Sequence, residues 1–346
     1  MVLKKRIRHL CFDLLYYTRA FHIMQGRRSG LGVIFLLHRV VPEGTPILAT
    51  DLSIQSDFLD QMLDYIRRLR WEIINLTEVR RRVVDGKKGA HFACFTFDDG
   101  YLDNLTIALP IFRKHNAPMC VNITTGLIDQ THFLWWPVLE HMALSRDRIQ
   151  TLATGDHEVI RNETREEQTL TFKTFSPLLR GSEQEKAKLQ ELFRVNGVDP
   201  EATLRPLILS WQQARELASD PLVEIGCHTV SHPPLATIKD DELVRELASA
   251  RERLQEQLAV PVHHLSYPYG RKADCSSREF RVARELGFHT ATTTRPGNIF
   301  PAHKDHLTAL PRVNIPGGDR ATLRVIREGL FGESLRPNYA PALVTD

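Results

Sequence analysis

Cysteine is scarce and scattered in this 346-residue chain: Cys11, Cys94, Cys120, Cys227 and Cys275, with no C-x-x-C pair. Five widely spaced thiols do not make a disulfide framework, and a reducing compartment suits them better. Cys94, Cys120 and Cys227 sit in apolar, strand-like runs and read as small core residues. Long hydrophobic runs are missing too. Leu31–Leu37 is far too short to span a bilayer. The apolar stretch after Arg8 is broken by Asp13 and Arg19, with no small-residue cleavage site behind it, so a secretory signal is not expected and a cytoplasmic location is. Strong net charge is also lacking. The balance is +3, which implies no general attraction to nucleic acid. There are no repeats and no low-complexity tract.

The small positive charge is unevenly placed. Residues 1–28 hold seven basic side chains against Asp13 alone, so the remaining body is mildly acidic. Within that segment Ile7, Leu10, Cys11, Leu14, Tyr17, Phe21 and Met24 recur at three- and four-residue steps. Such a stripe either packs on the body of the protein or lies in a membrane interface with its basic residues near anionic headgroups. Residues 1–30 are therefore set apart as a basic amphipathic segment, and 331–346 as a C-terminal tail.

Between them, short apolar runs recur at Val33–His38, Glu72–Leu76, Phe92–Phe97, Met119–Thr124, Val223–Gly226, His264–Tyr267, Thr290–Thr294 and Ala309–Val313. Helical patterns alternate with many of them. Ser56 is expected to cap a helix carrying Phe58, Met62, Ile66 and Leu69, and Asp240–Leu258 shows Leu243, Leu247, Ala250, Leu254 and Leu258 on one face. Near-continuous apolar strands alternating with helices predict an α/β protein with a covered parallel sheet. Eight such strands favour a barrel, although periodicity alone leaves an open sheet possible. Residues 131–209 break the rhythm. This polar stretch begins with His132, Phe133, Trp135 and Trp136, and is expected to be an insertion on one face, with its aromatics either a sugar-stacking surface or core.

Three clusters carry chemistry. Thr96-Phe97-Asp98-Asp99-Gly100 ends an apolar run in two adjacent carboxylates, which need a cation or proton partner unless they form a solvated turn. His228-Thr229-Val230-Ser231-His232 follows another strand; two histidines four residues apart can converge on one ion or simply lie on the surface. In a parallel barrel the ends of all strands emerge at one face, which brings the two clusters together and leaves open coordination positions. Ser266-Tyr267-Pro268-Tyr269-Gly270 follows a third strand, and its turn can aim a backbone N–H at an oxyanion.

Taken jointly, Phe95–Gly100, the H-T-x-x-H of 228–232 and the Y-P-Y-G of 267–270 resemble the three leading motifs of the polysaccharide deacetylase family, also called the NodB-homology or carbohydrate esterase 4 family. The resemblance covers roughly residues 31–330. It implies a distorted (β/α) barrel that removes acetyl groups from an N-acetylated carbohydrate with a divalent metal, usually zinc, with cobalt, nickel or manganese as alternatives. It further implies that Asp98 is the general base, that Asp99, His228 and His232 bind the metal, and that the Tyr269 N–H serves the oxyanion hole.

Two departures stand out. Ser266 occupies the place where the family carries an arginine, so the arginine that orients the base must come from elsewhere; Arg312 is the candidate and Arg271 the runner-up. The family's C-terminal L-x-H motif, source of its general acid, is missing. Leu36-Leu37-His38 is a similar piece at the front, as in deacetylases of exopolysaccharide systems that look circularly permuted. On that reading His38 is the acid, with His303 and His306 as weaker candidates. Two other readings keep the scaffold: hydrolysis of another C–N bond in a formamide or cyclic amide, and glycan binding without catalysis.

Overall fold

The computed structural model describes residues 30–330 apart from 87–88, 153–157, 181–182, 319–320, 324–325 and 327–329. Residues 1–29 and 331–346 lie outside the described residues, and with them the amphipathic stripe and the tail.

Each of the eight expected strands lies in one parallel sheet: β1 (Gly32–Leu37), β4 (Glu72–Ile73), β5 (Phe92–Phe97), β6 (Met119–Ile123), β9 (Val223–Cys227), β10 (His264–Ser266), β11 (Thr290–Thr292) and β12 (Val313–Asn314). Their order is β11-β10-β9-β6-β5-β1-β12. β4 pairs with the start of β5 and β6 with its end, so two strands share one edge of β5. The curl closes where Leu310 N donates to Ala291 O (2.9 Å) and Thr293 N to Leu310 O (2.8 Å), ahead of the β12–β1 pairing. The expected strand over 309–313 is therefore a single bridge at Leu310 followed by β12, and Arg312 lies just ahead of β12.

Alternation along the strands separates two apolar cores. Phe35, Ala93, Phe95, Phe97, Val121 and Ile225 face outward to the helices. Ile34, Phe92, Cys94, Cys120, Ile299 and Leu310 pack inside the lower barrel. Leu76, Val79 and Val83 of helix α2 (Leu76–Asp85) close its floor. That helix begins at Asn75, whose side chain accepts from Glu78 N, while Glu224 of β9 accepts from Leu76 N (2.8 Å). Burial raises the pKa of the thiols of Cys94, Cys120, Cys227 and Cys275, consistent with core packing.

The outer helices follow the sequence periodicity. Helix α1 (Ser56–Arg68) buries Phe58, Leu59, Met62, Leu63 and Ile66. Ser56 is its first helical residue and not its cap; Gln55 holds the cap position and makes no side-chain capping bond. The long helix Asp240–Leu258 buries the five predicted residues and opens with Asp240, Asp241 and Glu242, charges that suit a helix N-terminus. We number it α10, counting helices along the chain.

Residues 131–209 form a separate lobe. Helices α5 (Trp135–Ser145), α6 (Arg165–Phe175), α7 (Glu183–Val195) and α8 (Pro200–Leu204), with the hairpin of β7 (Arg148–Gln150) and β8 (Val159–Arg161), enclose their own core of Val138, Leu139, Met142, Ile149, Leu189, Leu192 and Phe193. The aromatic cluster is mainly packing: Trp135 stacks on Phe193, and Trp136 is buried against Tyr101 of the barrel.

Inside the barrel the upper strand positions are polar, and Gly226 makes room for them. A Cβ at Gly226 would stand 1.9 Å from Asn122 Oδ1. Gly226→Ala is expected to destabilise the fold by about 1–3 kcal/mol through overpacking, measured by urea denaturation; an unchanged midpoint would refute this account of the interior.

Candidate active site

The site forms where strands β1, β5, β6, β9 and β10 end. Asp98 and Asp99 follow β5, and His228 follows β9, as strand-end residues of a parallel barrel should. Four non-glycine site residues adopt the left-handed region: Asp99 (φ 79°), Thr229 (66°), His232 (58°) and Tyr269 (58°). Backbone strain of this kind costs about 1–3 kcal/mol per residue and concentrates at functional sites.

Hydrogen bonds hold the strained segments. On α10, Glu246 accepts from Val230 N (2.8 Å), Ser231 N (2.9 Å) and Ser231 Oγ (2.6 Å), clamping the turn between the two histidines. His232 N donates to Thr229 Oγ1 (3.0 Å), and Gly126 N donates to Val230 O (2.9 Å) from the neighbouring loop. Gly126 must lack a side chain, because a Cβ there would meet Val230 O at 2.5 Å.

The result is a compact donor set. Ligand atoms of Asp99, His228 and His232 all lie within 4.8 Å of one another. Asp99 Oδ1 is 3.4 Å from His228 Nε2 and 3.5 Å from His232 Nε2. His228 Nδ1 donates to the Ser266 carbonyl (2.7 Å), which leaves Nε2 as the ring's lone-pair nitrogen facing Asp99. Asp99 Oδ1 is buried and has no hydrogen-bond partner among the described residues. A buried carboxylate oxygen facing two ring nitrogens is what a divalent cation would satisfy, so the residues fit a metal. Burial lowers the His232 pKa to about 4, which keeps that ring neutral as a ligand must be. Burial would lower His228 as well, but Asp98 and Asp99 carry it upward.

Beside this set lies Asp98, buried and gripped by Arg312. Arg312 Nη1 donates to Asp98 Oδ1 (2.9 Å) and Nη2 to Oδ2 (2.7 Å), a bidentate pair. The remaining guanidinium hydrogens reach Thr96 Oγ1 (3.0 Å), Ser266 Oγ (2.8 Å) and the Thr293 carbonyl (2.9 Å), so all five N–H groups are used. Asn122 Nδ2 and Ser266 Oγ add donors to Asp98 at 2.8 and 2.9 Å. Burial alone would raise the Asp98 pKa; Arg312, then His228, overrides it and holds the carboxyl well below the usual range.

Of the arginine candidates, Arg312 is fully buried in the site whereas Arg271 is exposed. His38 stands one residue past β1, whose Leu37 is registered with Phe97, which places it beside Asp98. Burial lowers its pKa more than Asp99 and Asp98 raise it, and its buried Nδ1 has no partner among the described residues. The Tyr269 ring packs 5.0 Å from that of His232. His303 and His306 are not brought to the site. They belong to the segment after Ile299, which bridges to Gly32 at the opposite end of the barrel, and His303 Nδ1 accepts from Phe300 N.

Sequence reasoning missed Asn122 and Glu246. Asn122, a polar residue inside an otherwise apolar strand, carried a signal. Glu246 carried none, as one acid among many on a charged helix.

The sequence model of the family described as polysaccharide deacetylase matches residues 85–291, more than half of the chain. The chain belongs to the polysaccharide deacetylase family. It is accordingly a hydrolase of the class that cleaves the C–N bond of N-acetyl sugars. Among solved structures it is similar to the Streptococcus pyogenes deacetylase PplD in complex with acetate (TM-score 0.56, 19% identity, covering 88% of this chain and 98% of that one). It is also similar to IcaB from Ammonifex degensii (TM-score 0.53, 16% identity, 88% and 98%). A de-N-acetylase from Aggregatibacter actinomycetemcomitans gives TM-score 0.54 at 14% identity, with 86% and 99% covered. At these identities the likeness shows the fold, a distorted parallel barrel. No curated protein matches the chain significantly.

The buried pair yields a stability prediction. Arg312→Met leaves Asp98 buried and unpaired and is expected to cost about 3–5 kcal/mol. Arg312→Met combined with Asp98→Asn is expected to cost less than the sum of the single changes. Additive losses in urea denaturation would contradict a coupled pair.

Proposed function

We propose that this protein is a metal-dependent N-deacetylase acting on the amino sugars of a glycan or lipid-linked saccharide in cell-envelope or exopolysaccharide metabolism. One observation carries the reading. A carboxylate fixed bidentately by a buried arginine stands next to an Asp-His-His donor set, at the strand ends of a barrel. Asp99, His228 and His232 would hold the ion, zinc or a related divalent metal. Bound there, it supplies Lewis acidity that polarises the acetamide carbonyl and acidifies water.

The chain's own residues do the rest. Asp98 takes the proton of the water whose oxygen attacks the acetyl carbon. Arg312 fixes both oxygens of Asp98 and so aims the base. The Tyr269 N–H, presented by a left-handed residue, donates to the developing oxyanion. His38 delivers a proton to the departing nitrogen as the C–N bond breaks, giving acetate and a free amine.

Mass spectrometry of N-acetylated glycans is expected to show loss of an acetyl group on incubation, and its absence on every amino sugar offered would sink the proposal. Chelation is expected to abolish turnover, with recovery on adding a divalent ion. His228→Ala and His232→Ala are expected to lose metal by elemental analysis, and Asp98→Asn to keep metal but lose turnover. His38→Ala should lower kcat about 10²–10⁴-fold. Near-normal turnover in His38→Ala would remove it as the acid.

A cytoplasmic location at the membrane's inner face is the second part of the proposal, supported by the basic amphipathic pattern of residues 1–28. Among the described residues no helix is long and apolar enough to cross a membrane. Binding to anionic vesicles is expected to weaken with salt and to disappear on deleting 1–28. Equal sedimentation of full and truncated protein with vesicles would contradict it.

A further inference from the structure

His38 occupies a break in the path of the chain. β1 ends at Leu37 in the parallel sheet, and Arg39 opens β2 (Arg39–Val41), which pairs with β3 (Ser53–Gln55) in a second, two-stranded sheet. One residue therefore carries the chain from one sheet to the other. No ladder pairing includes it. The buried Nδ1 of its ring has no partner among the described residues. The direction of the ring must then come from the peptide that carries it.

That peptide is held by two residues the chemistry above does not use. Asn104, fully buried, donates from Nδ2 to the His38 carbonyl (2.8 Å) and to Asp103 Oδ1 (3.2 Å). Asp103, 8% exposed, accepts from Val40 N through the same oxygen (3.0 Å) and from Arg39 Nε through the other (2.9 Å). On either side of His38 the backbone is tied as well: Asp98 N donates to the Leu37 carbonyl (3.0 Å), and Arg39 N donates to the Leu52 carbonyl (3.0 Å). Among the described residues, the His38 carbonyl depends on the side chain of Asn104, and the two residues after it on Asp103.

Keeping a carboxylate in this place is costly. Burial pushes the Asp103 pKa up to about 6, against the Arg39 guanidinium, the Val40 N–H and Asn104, which all favour the charge. Arg39 in turn lies 5.6 Å over the ring of Tyr101. The chain also leaves α-helical form here. Asn104–Ala108 is a π-helical turn that runs into helix α3 (Leu109–Lys114). Such turns are rare and frequently sit at functional sites. Satisfying two backbone groups alone needs neither a buried charge nor a π turn.

We propose that Asp103 and Asn104 are positioning residues that aim His38, through its backbone, at the nitrogen that departs. The inference rests on the N-deacetylase reading and on His38 as its acid. The amine nitrogen leaves with a proton from the His38 imidazolium, whereas a nitrophenolate leaves as a stable anion and needs none. A misplaced acid therefore slows amide cleavage and spares an activated ester, while a damaged barrel or donor set slows both. The test compares an N-acetylated amino-sugar oligomer with para-nitrophenyl acetate, using the full chain supplied with zinc. Asn104→Ala is expected to lower kcat on the amide about tenfold or more, and to leave KM and ester turnover within about twofold. Asp103→Asn keeps an acceptor for Val40 N but loses the charge facing Arg39. It is expected to give the same pattern at smaller amplitude, and it serves should Asn104→Ala misfold. In protein isotopically labelled at histidine, the NMR signals of the His38 ring, assigned by their loss in His38→Ala, are expected to shift in both variants. Equal losses on amide and ester, or His38 signals that do not move, overturn the proposal. Near-normal amide turnover in His38→Ala defeats the acid role and the positioning with it. Absence of turnover on any N-acetylated sugar by the wild type would instead defeat the N-deacetylase reading.

Discussion

The Arg312–Asp98 pair is the constraint around which the barrel interior is built. Burying a guanidinium and a carboxylate side by side costs several kcal/mol per ion unless every remaining polar atom is satisfied. Here Thr96, Ser266 and the Thr293 carbonyl complete the arginine, and Asn122 and Ser266 complete the aspartate. Those requirements explain why inward positions turn from apolar to polar partway up the strands. Cys94 gives way to Thr96 and then Asp98; Cys120 gives way to Asn122; Leu310 gives way to Arg312. Gly226 is part of the same solution, because a side chain there would displace the amide that touches Asp98.

The second organising element is strain placed where donors must converge. Asp99, Thr229, His232 and Tyr269 hold left-handed backbone that L-residues avoid. The surrounding bonds hold these positions: Thr124 N on the Asp99 carbonyl, His232 N on Thr229 Oγ1 with Glu246 on the turn between them, and Thr294 Oγ1 on the Tyr269 carbonyl. Such an arrangement fixes donor direction in advance, the preorganisation that the proposed metal site and oxyanion hole would need.

The lobe of residues 131–209 is stabilised largely by its own core, but both ends of its path meet the site. It leaves the barrel just after β6 and returns through Ile208 and Leu209, which bond to the aspartate loop. Trp136 packs on Tyr101, two residues beyond Asp99. An insertion so joined can shape what approaches the Asp-His-His set without altering the barrel that carries it.

Much of this was legible in the chain. Apolar runs of four to six residues declared the strands, because a strand buried on both faces needs no polar alternation. The leucine spacing of Asp240–Leu258 declared its helix, since one face alone meets the sheet. Asp98, Asp99, His228 and His232 were visible because strand ends of a parallel barrel share a face. What sequence could not decide is which distant residue satisfies a buried charge. Arg312 lies 214 positions from Asp98, and two arginines were plausible until the closing bridge at Leu310 turned one inward. Ser56 looked like a cap because capping depends on one backbone angle, which β3 pairing just before the helix sets differently. Glu246 was invisible for the same reason: a carboxylate on a charged helix becomes a clamp only when the fold lays that helix against a strained turn. Local pattern determines where elements form, while long-range hydrogen bonding, which has no sequence period, determines which side chains meet.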